Sequence, residues 1–140
     1  MKVCVAAICD FAQVREGLLS VISAGINRVW RPQYPAPMGA MLALIIEVTP
    51  GEAKIPREIR FRVEAADGAR LAEASAGFQI GTPPSQNDPG EVMMVPFAVD
   101  FRTVQLPAAG RYQIVVDLMT EGVEETVLAF RAAFPSEAAN

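Results

Sequence analysis

In the run Glu58-Ile59-Arg60-Phe61-Arg62-Val63-Glu64-Ala65, apolar and charged residues alternate without a break. A period of two puts Ile59, Phe61 and Val63 on one face and Arg60 and Arg62 on the other, as in a strand with one buried and one wetted side. Tyr112, Ile114, Val116 and Leu118 repeat the pattern, and so do Val95, Phe97, Val99 and Phe101. Three such runs predict an antiparallel sheet, because parallel strands are covered on both faces. Met41 to Val48 differs in being apolar on both faces except at Glu47. Bracketed by Pro37, Gly39 and Pro50-Gly51, this short run predicts a central strand covered from both sides.

Turn residues join these runs. Asp67-Gly68 and Glu121-Gly122 stand between alternating segments at the spacing of tight antiparallel hairpins. Strands are expected near 2–9, 18–30, 41–49, 57–66, 69–80, 92–101, 110–119 and 124–132, with one helical turn over Phe11 to Glu16. Eight strands in a single open sheet would leave an apolar face in water, so the pattern predicts an all-β, two-layer antiparallel β-sandwich. One domain over residues 1–134 is expected, followed by a frayed tail over 135–140.

Composition narrows the chemistry. The 140 residues contain no histidine, which removes the usual residue of Ser-His-Asp and Cys-His catalysis, of many metal sites and of pH switches near neutrality. The formal net charge of −4 sets the overall field against phosphate backbones and anionic membrane surfaces, so neither nucleic acid nor membrane is an expected partner. Residues 1–70 carry 9 basic against 7 acidic side chains, and residues 71–140 carry 3 against 9. No segment reaches the roughly 18 apolar residues of a membrane span. The start, Met1 to Asp10, is too short and ends too bulkily at Ile8 for a signal peptide. A cytoplasmic protein is expected, with Cys4 and Cys9 as free, buried thiols in a reducing compartment.

No constellation points to catalysis. A nucleophilic Cys4 or Cys9 lacks a histidine base, and Asp10 beside Cys9 disfavours the thiolate. A Ser-Lys dyad would have to use Lys2 or Lys54, at the terminus and in a turn. Asp10, Glu16, Glu47 and Asp117 are available as acid-base pairs, as chance alone allows among sixteen acidic residues. Glu121, Glu124 and Glu125 lack the alternating ligands of a calcium loop, and no glycine-rich phosphate loop is present. No metal and no cofactor is expected.

Leu106-Pro107-Ala108-Ala109-Gly110-Arg111-Tyr112 resembles the start of a late strand in immunoglobulin-like sandwiches, where a tyrosine just inside the strand bonds back to nearby backbone. A wider likeness runs through Cys9-Asp10-Phe11-Ala12, Gly17-Leu18-Leu19-Ser20-Val21, Ala24-Gly25-Ile26 and Tyr34-Pro35 to Leu106-Pro107 and Gly110-Arg111-Tyr112. In these residues the chain resembles a group of short bacterial proteins catalogued only as a domain of unknown function. That resemblance implies an all-β fold and supplies no catalytic residues.

The segment Asn27 to Met38 is the candidate recognition surface. Arg28, Trp30, Arg31 and Tyr34, interleaved with three prolines, are the rigid aromatic and planar cationic residues that anchor binding hot spots. The competing expectation is that Trp30 plugs the end of the core with Arg28 or Arg31 stacked on it. The loop over 81–90 is a second candidate, as binding loop or solvated linker. Together these predict a non-catalytic protein-interaction module that acts through the crossover or an open sheet edge, on a protein partner or by self-association. The alternatives are a small carboxylate-dependent enzyme or ligand binder with a pocket at one end of the sandwich, and a structural subunit of a larger assembly.

Overall fold

The computed structural model describes residues 1–79, 88 and 90–135. Among these residues eleven strands and one helical turn follow in order: β1 (Lys2–Arg15), β2 (Leu18–Ala24), β3 (Arg28–Trp30), β4 (Ala36–Pro37), β5 (Met41–Val48), α1 (Pro50–Ala53), β6 (Arg57–Ala65), β7 (Arg70–Phe78), β8 (Met93–Asp100), β9 (Gln105–Leu106), β10 (Gly110–Asp117) and β11 (Thr126–Ala133). One sheet has the order β2-β1-β5-β8, a second β3-β11-β10-β6-β7, and β4 pairs with β9 in a short third ladder. All pairings are antiparallel except β3 beside β11. The all-β sandwich expected from the alternation is the architecture found.

The period-two residues face inward as read. Ile59, Phe61, Val63, Ile114 and Val116 are all but inaccessible, and they pack with Leu42, Leu44, Ile46 and Val48 of β5 in the core between the sheets. Phe97 of β8 meets the rings of Phe61 and Phe78 at 6.4 and 5.7 Å. The Tyr112 ring stacks on Phe130 at 5.6 Å, and its hydroxyl donates to the Ala108 carbonyl at 2.6 Å. The Ala108 amide donates back to the same oxygen at 3.3 Å, so the corner bond expected at Leu106 to Tyr112 is made.

The first hairpin departs from expectation. Residues 11–16 form no helical turn; β1 runs on to Arg15 and reverses through Glu16 and Gly17, at φ 53° and 74°. Positive φ at both central residues is the two-residue turn whose twist matches a hairpin. Phe11 and Val14 are three apart, which imitates a helical face, but cross-strand pairing decides. Beyond Ala24 the expected strand over 18–30 breaks at Gly25, φ 97°, and β3 leaves for the other sheet.

Other boundaries shift for local reasons. The connection from β10 to β11 spans 118–125 and is wider than a tight hairpin, with Met119 and Gly122 both at positive φ. The Asp67-Gly68 turn is tight as expected, with the Asp67 carboxylate accepting from the Ala69 amide at 2.9 Å. Pro50–Ala53 forms α1 behind the N-cap Thr49, which the alternation did not indicate. The Thr49 hydroxyl accepts from the Glu52 amide while the Glu52 carboxylate accepts from the Thr49 amide at 3.0 Å, a capping box with proline at its favoured position. The loop expected over 81–90, apart from Asp88 and Gly90, and the tail beyond 135 lie outside the described residues. Among the described residues no helix is long and apolar enough to cross a membrane.

Candidate functional site

The two cysteines are not both buried. The β1–β5 register shifts between Val3 and Val5, so Cys4 is the extra residue of a bulge and is exposed, while Cys9 is buried. Burial first, and Asp10 second, push the Cys9 thiol up, and its Sγ donates to the Met41 carbonyl at 3.6 Å. Maleimide labelling of the native protein is therefore expected to modify Cys4 rapidly, with Cys9 reacting only on unfolding. Two equally fast equivalents would contradict the bulge.

The crossover residues separate into structural and exposed roles. Trp30 is 42% exposed and does not plug the core, because its neighbour Val29 takes the inward position of β3. Arg31 does not stack on it; its Nε donates to the Pro37 carbonyl at 3.0 Å and its two terminal nitrogens to Trp30 and Met38 carbonyls at 2.7 and 3.0 Å. Gly39, at φ 68°, lies directly under that guanidinium, where a Cβ would come within 2.2 Å of it. Arg31 thus clasps the chain as it crosses between sheets. The Tyr34 hydroxyl donates to the Ala133 carbonyl at 2.7 Å and its ring meets Phe134 edge-on at 5.4 Å; burial pushes its ionisation up. Trp30, Arg28 and Arg31 share with Asp10 a pocket of about 260 Å³. The crossover itself is tied down from both ends.

A different surface stands out. The β1–β2 hairpin folds back over the outer face of the first sheet, where β2 touches β5 and β8 as well as its ladder partner β1. Ala12 and Leu19 close over Cys9, Met41, Ala43 and Ala98, so this arch covers the outer face of β5 at Met41 and Ala43, while Ile45 and Glu47 further along that face stay partly exposed. The Arg102 guanidinium lies 5.8 Å from the Phe11 ring centroid. It also donates to Asp100, whose carboxyl it holds at about 2. On the side of the hairpin away from the sheet, Leu18 is 72% and Ile22 60% exposed. They share one face with Ser20, because pairing with Arg15, Gln13 and Phe11 sets the register.

Among the described residues β2 is also a free edge, and the other edges differ from it. β8 carries Pro96, β7 carries Arg70 and Glu73, and β3 is three residues long. These are the devices that keep strand edges from pairing. Leu18 to Ala24, Leu-Leu-Ser-Val-Ile-Ser-Ala, has no charge and no proline. The sequence marks this reversal only by Gly17, and the run Phe11 to Val14 before it fits a hairpin strand and a helical turn equally well.

Among the described residues no charged residue is fully buried, and no group of three or more metal-ligating side chains converges. No curated protein and no solved structure matches the chain. A family model matches residues 4–132, nearly the whole sequence, and the chain belongs to that family of unknown function, DUF6941.

Proposed function

We propose that the protein is a non-catalytic interaction module that associates by strand addition along β2, and that its partner is a second copy of the same chain. The observation that carries this reading is the uncharged, proline-free edge of β2 with Leu18 and Ile22 in water. An edge offers unpaired backbone donors and acceptors, and strand addition satisfies them while side chains set the register. The regular stretch Leu-Leu-Ser-Val-Ile is symmetric in polarity about Ser20. Antiparallel pairing centred there sets Leu18 of one copy opposite Ile22 of the partner subunit, and Leu19 opposite Val21 of the partner subunit. It opposes no like charges, and it pairs the two most exposed large apolar side chains among the described residues. Three carboxyl groups lie below the ordinary range: at Glu52 burial pushes up but bonds from the amino terminus and Thr49 outweigh it, at Glu64 the Gln113 amide holds it down, and at Asp100 the Arg102 guanidinium does. They are ion-pair partners at neutral pH, not proton donors. Two free thiols fit a reducing, cytoplasmic setting.

Sedimentation equilibrium tests the pairing. Wild type is expected to dimerise, and Leu18→Lys/Ile22→Lys and Leu18→Glu/Ile22→Glu are each expected to be monomers with unchanged melting curves. Mixing the two variants is expected to restore a heterodimer, because each lysine then faces a glutamate. A wild type that stays monomeric at high concentration, or a lysine variant that dimerises as wild type does, would overturn the reading.

A further inference from the structure

The outer face of the second sheet carries three arginines in one row. Arg131 of β11 is in register with Arg28 of β3 on one side and with Arg111 of β10 on the other, and all three are exposed. Neighbouring strands lie about 4.8 Å apart, so three guanidinium-bearing side chains leave the sheet from adjacent positions. Like charges directly opposite one another are destabilising, and this row stands on a chain whose net charge is −4. Most other arginines are engaged: Arg60, Arg62, Arg70 and Arg102 pair with carboxylates, and Arg31 and Arg57 bond carbonyls. Arg131 also has a partner. Arg28 and Arg111, at the two ends of the row, have none among the described residues.

The nearest acid along the ladder does not neutralise them. Glu64 stands one pleat away beside Gln113, and Gln113 and Arg62 already hold its carboxylate. Arg28, Arg111 and Arg131 line a groove of about 380 Å³ together with Asn27. The groove can admit a small molecule, and guanidinium groups bind tetrahedral oxyanions through paired N–H donors.

We propose that this row is an anion site for a phosphate group, carried free or as the monoester of a small molecule. A dianion suits the row better than a carboxylate, because Arg28 and Arg111 are two cations that make no ion pair among the described residues. The site lies on the sheet opposite to the β2 edge and stands or falls independently of strand addition.

The test is thermal melting and amide-shift titration with sodium phosphate, phenyl phosphate and acetate against chloride at matched ionic strength and pH. Phosphate is expected to raise the melting temperature saturably and to shift resonances of β3, β10 and β11. Arg28→Gln and Arg111→Gln are each expected to weaken phosphate binding about tenfold to a hundredfold. Arg15→Gln, which removes an exposed arginine at the hairpin turn, is expected to leave binding unchanged. In chloride, Arg111→Gln is expected to melt no lower than wild type, since it relieves like-charge repulsion. Equal response to phenyl phosphate and phosphate would assign the site to the ester group, and response to phosphate alone to the free ion. The proposal is overturned by a response to acetate as large as to phosphate, by equal effects of phosphate and chloride, by retained binding in either glutamine variant, or by a fall in stability of Arg111→Gln in chloride.

Discussion

Phe61→Ala is expected to cost about 3–5 kcal/mol, the largest loss from any single truncation considered for this chain. The side chain is 1% exposed, lies on β6 between β7 and β10, and meets Phe97 across the core. Removing it leaves a cavity bounded by two sheets. Their backbones are held by ladders on either side, so neither can collapse inward to fill it. Domains of this size are stable by only about 5–15 kcal/mol, so the loss is expected to remove from about a fifth of the stability up to all of it. The variant's melting temperature is expected to fall by roughly 10–20 °C. Urea denaturation checks this through a lower midpoint at unchanged slope. Val127→Ala, at a position 52% exposed on the outer face of the same sheet, is the comparison and is expected to change stability by no more than about 0.5 kcal/mol. Equal costs at the two positions would mean that the period-two assignment of inner and outer faces is wrong.

Tyr112→Phe is expected to cost about 1–2 kcal/mol while leaving the ring stacked on Phe130. The effect is large for a single oxygen atom because that oxygen serves two backbone groups. It donates to the Ala108 carbonyl and accepts from the Ala108 amide. The phenylalanine variant leaves both groups short of a partner in a partly buried turn, and a lost partner costs more than a bond gained. Faster hydrogen exchange at the Ala108 amide, with exchange in β6 raised only by the global loss of stability, is the expected signature. If the stability loss spread evenly with no local change at Ala108, the corner would not be what the hydroxyl serves.

Strand identity and facing were legible in the sequence where one face is buried and the other wetted. Slipping a strand such as Ile59–Val63 by one residue would drive Arg60 and Arg62 into the core. That is why the inward sets of β6 and β10 were read correctly from alternation alone. The corner at Tyr112 was legible too, since it is formed within five residues. The hairpin at Glu16-Gly17 was not, because Phe11, Ala12 and Val14 carry too few charges for alternation to be distinguished from a helical face. The bulge that exposes Cys4 leaves no local trace, since one extra residue shows only against the partner strand.

The candidate surfaces divide in the same way. The composition of Asn27 to Met38 marked it for recognition, but composition does not say which carbonyls a guanidinium reaches. Only the fold brings Pro37 and Met38 back under Arg31, turns Trp30 outward and ties Tyr34 to Ala133. Likewise Leu18 and Ile22 read as ordinary strand residues until the sheet order left β2 at an edge. Arg28, Arg111 and Arg131 lie up to 103 positions apart in the chain and become neighbours only through the ladders of β3, β11 and β10. The sequence by itself determined the all-β class, the inner faces and the lack of histidine chemistry, because alternation and composition are local properties. The tertiary structure alone decided which edge is open and which charges stand together, because those depend on strand order and register between distant segments.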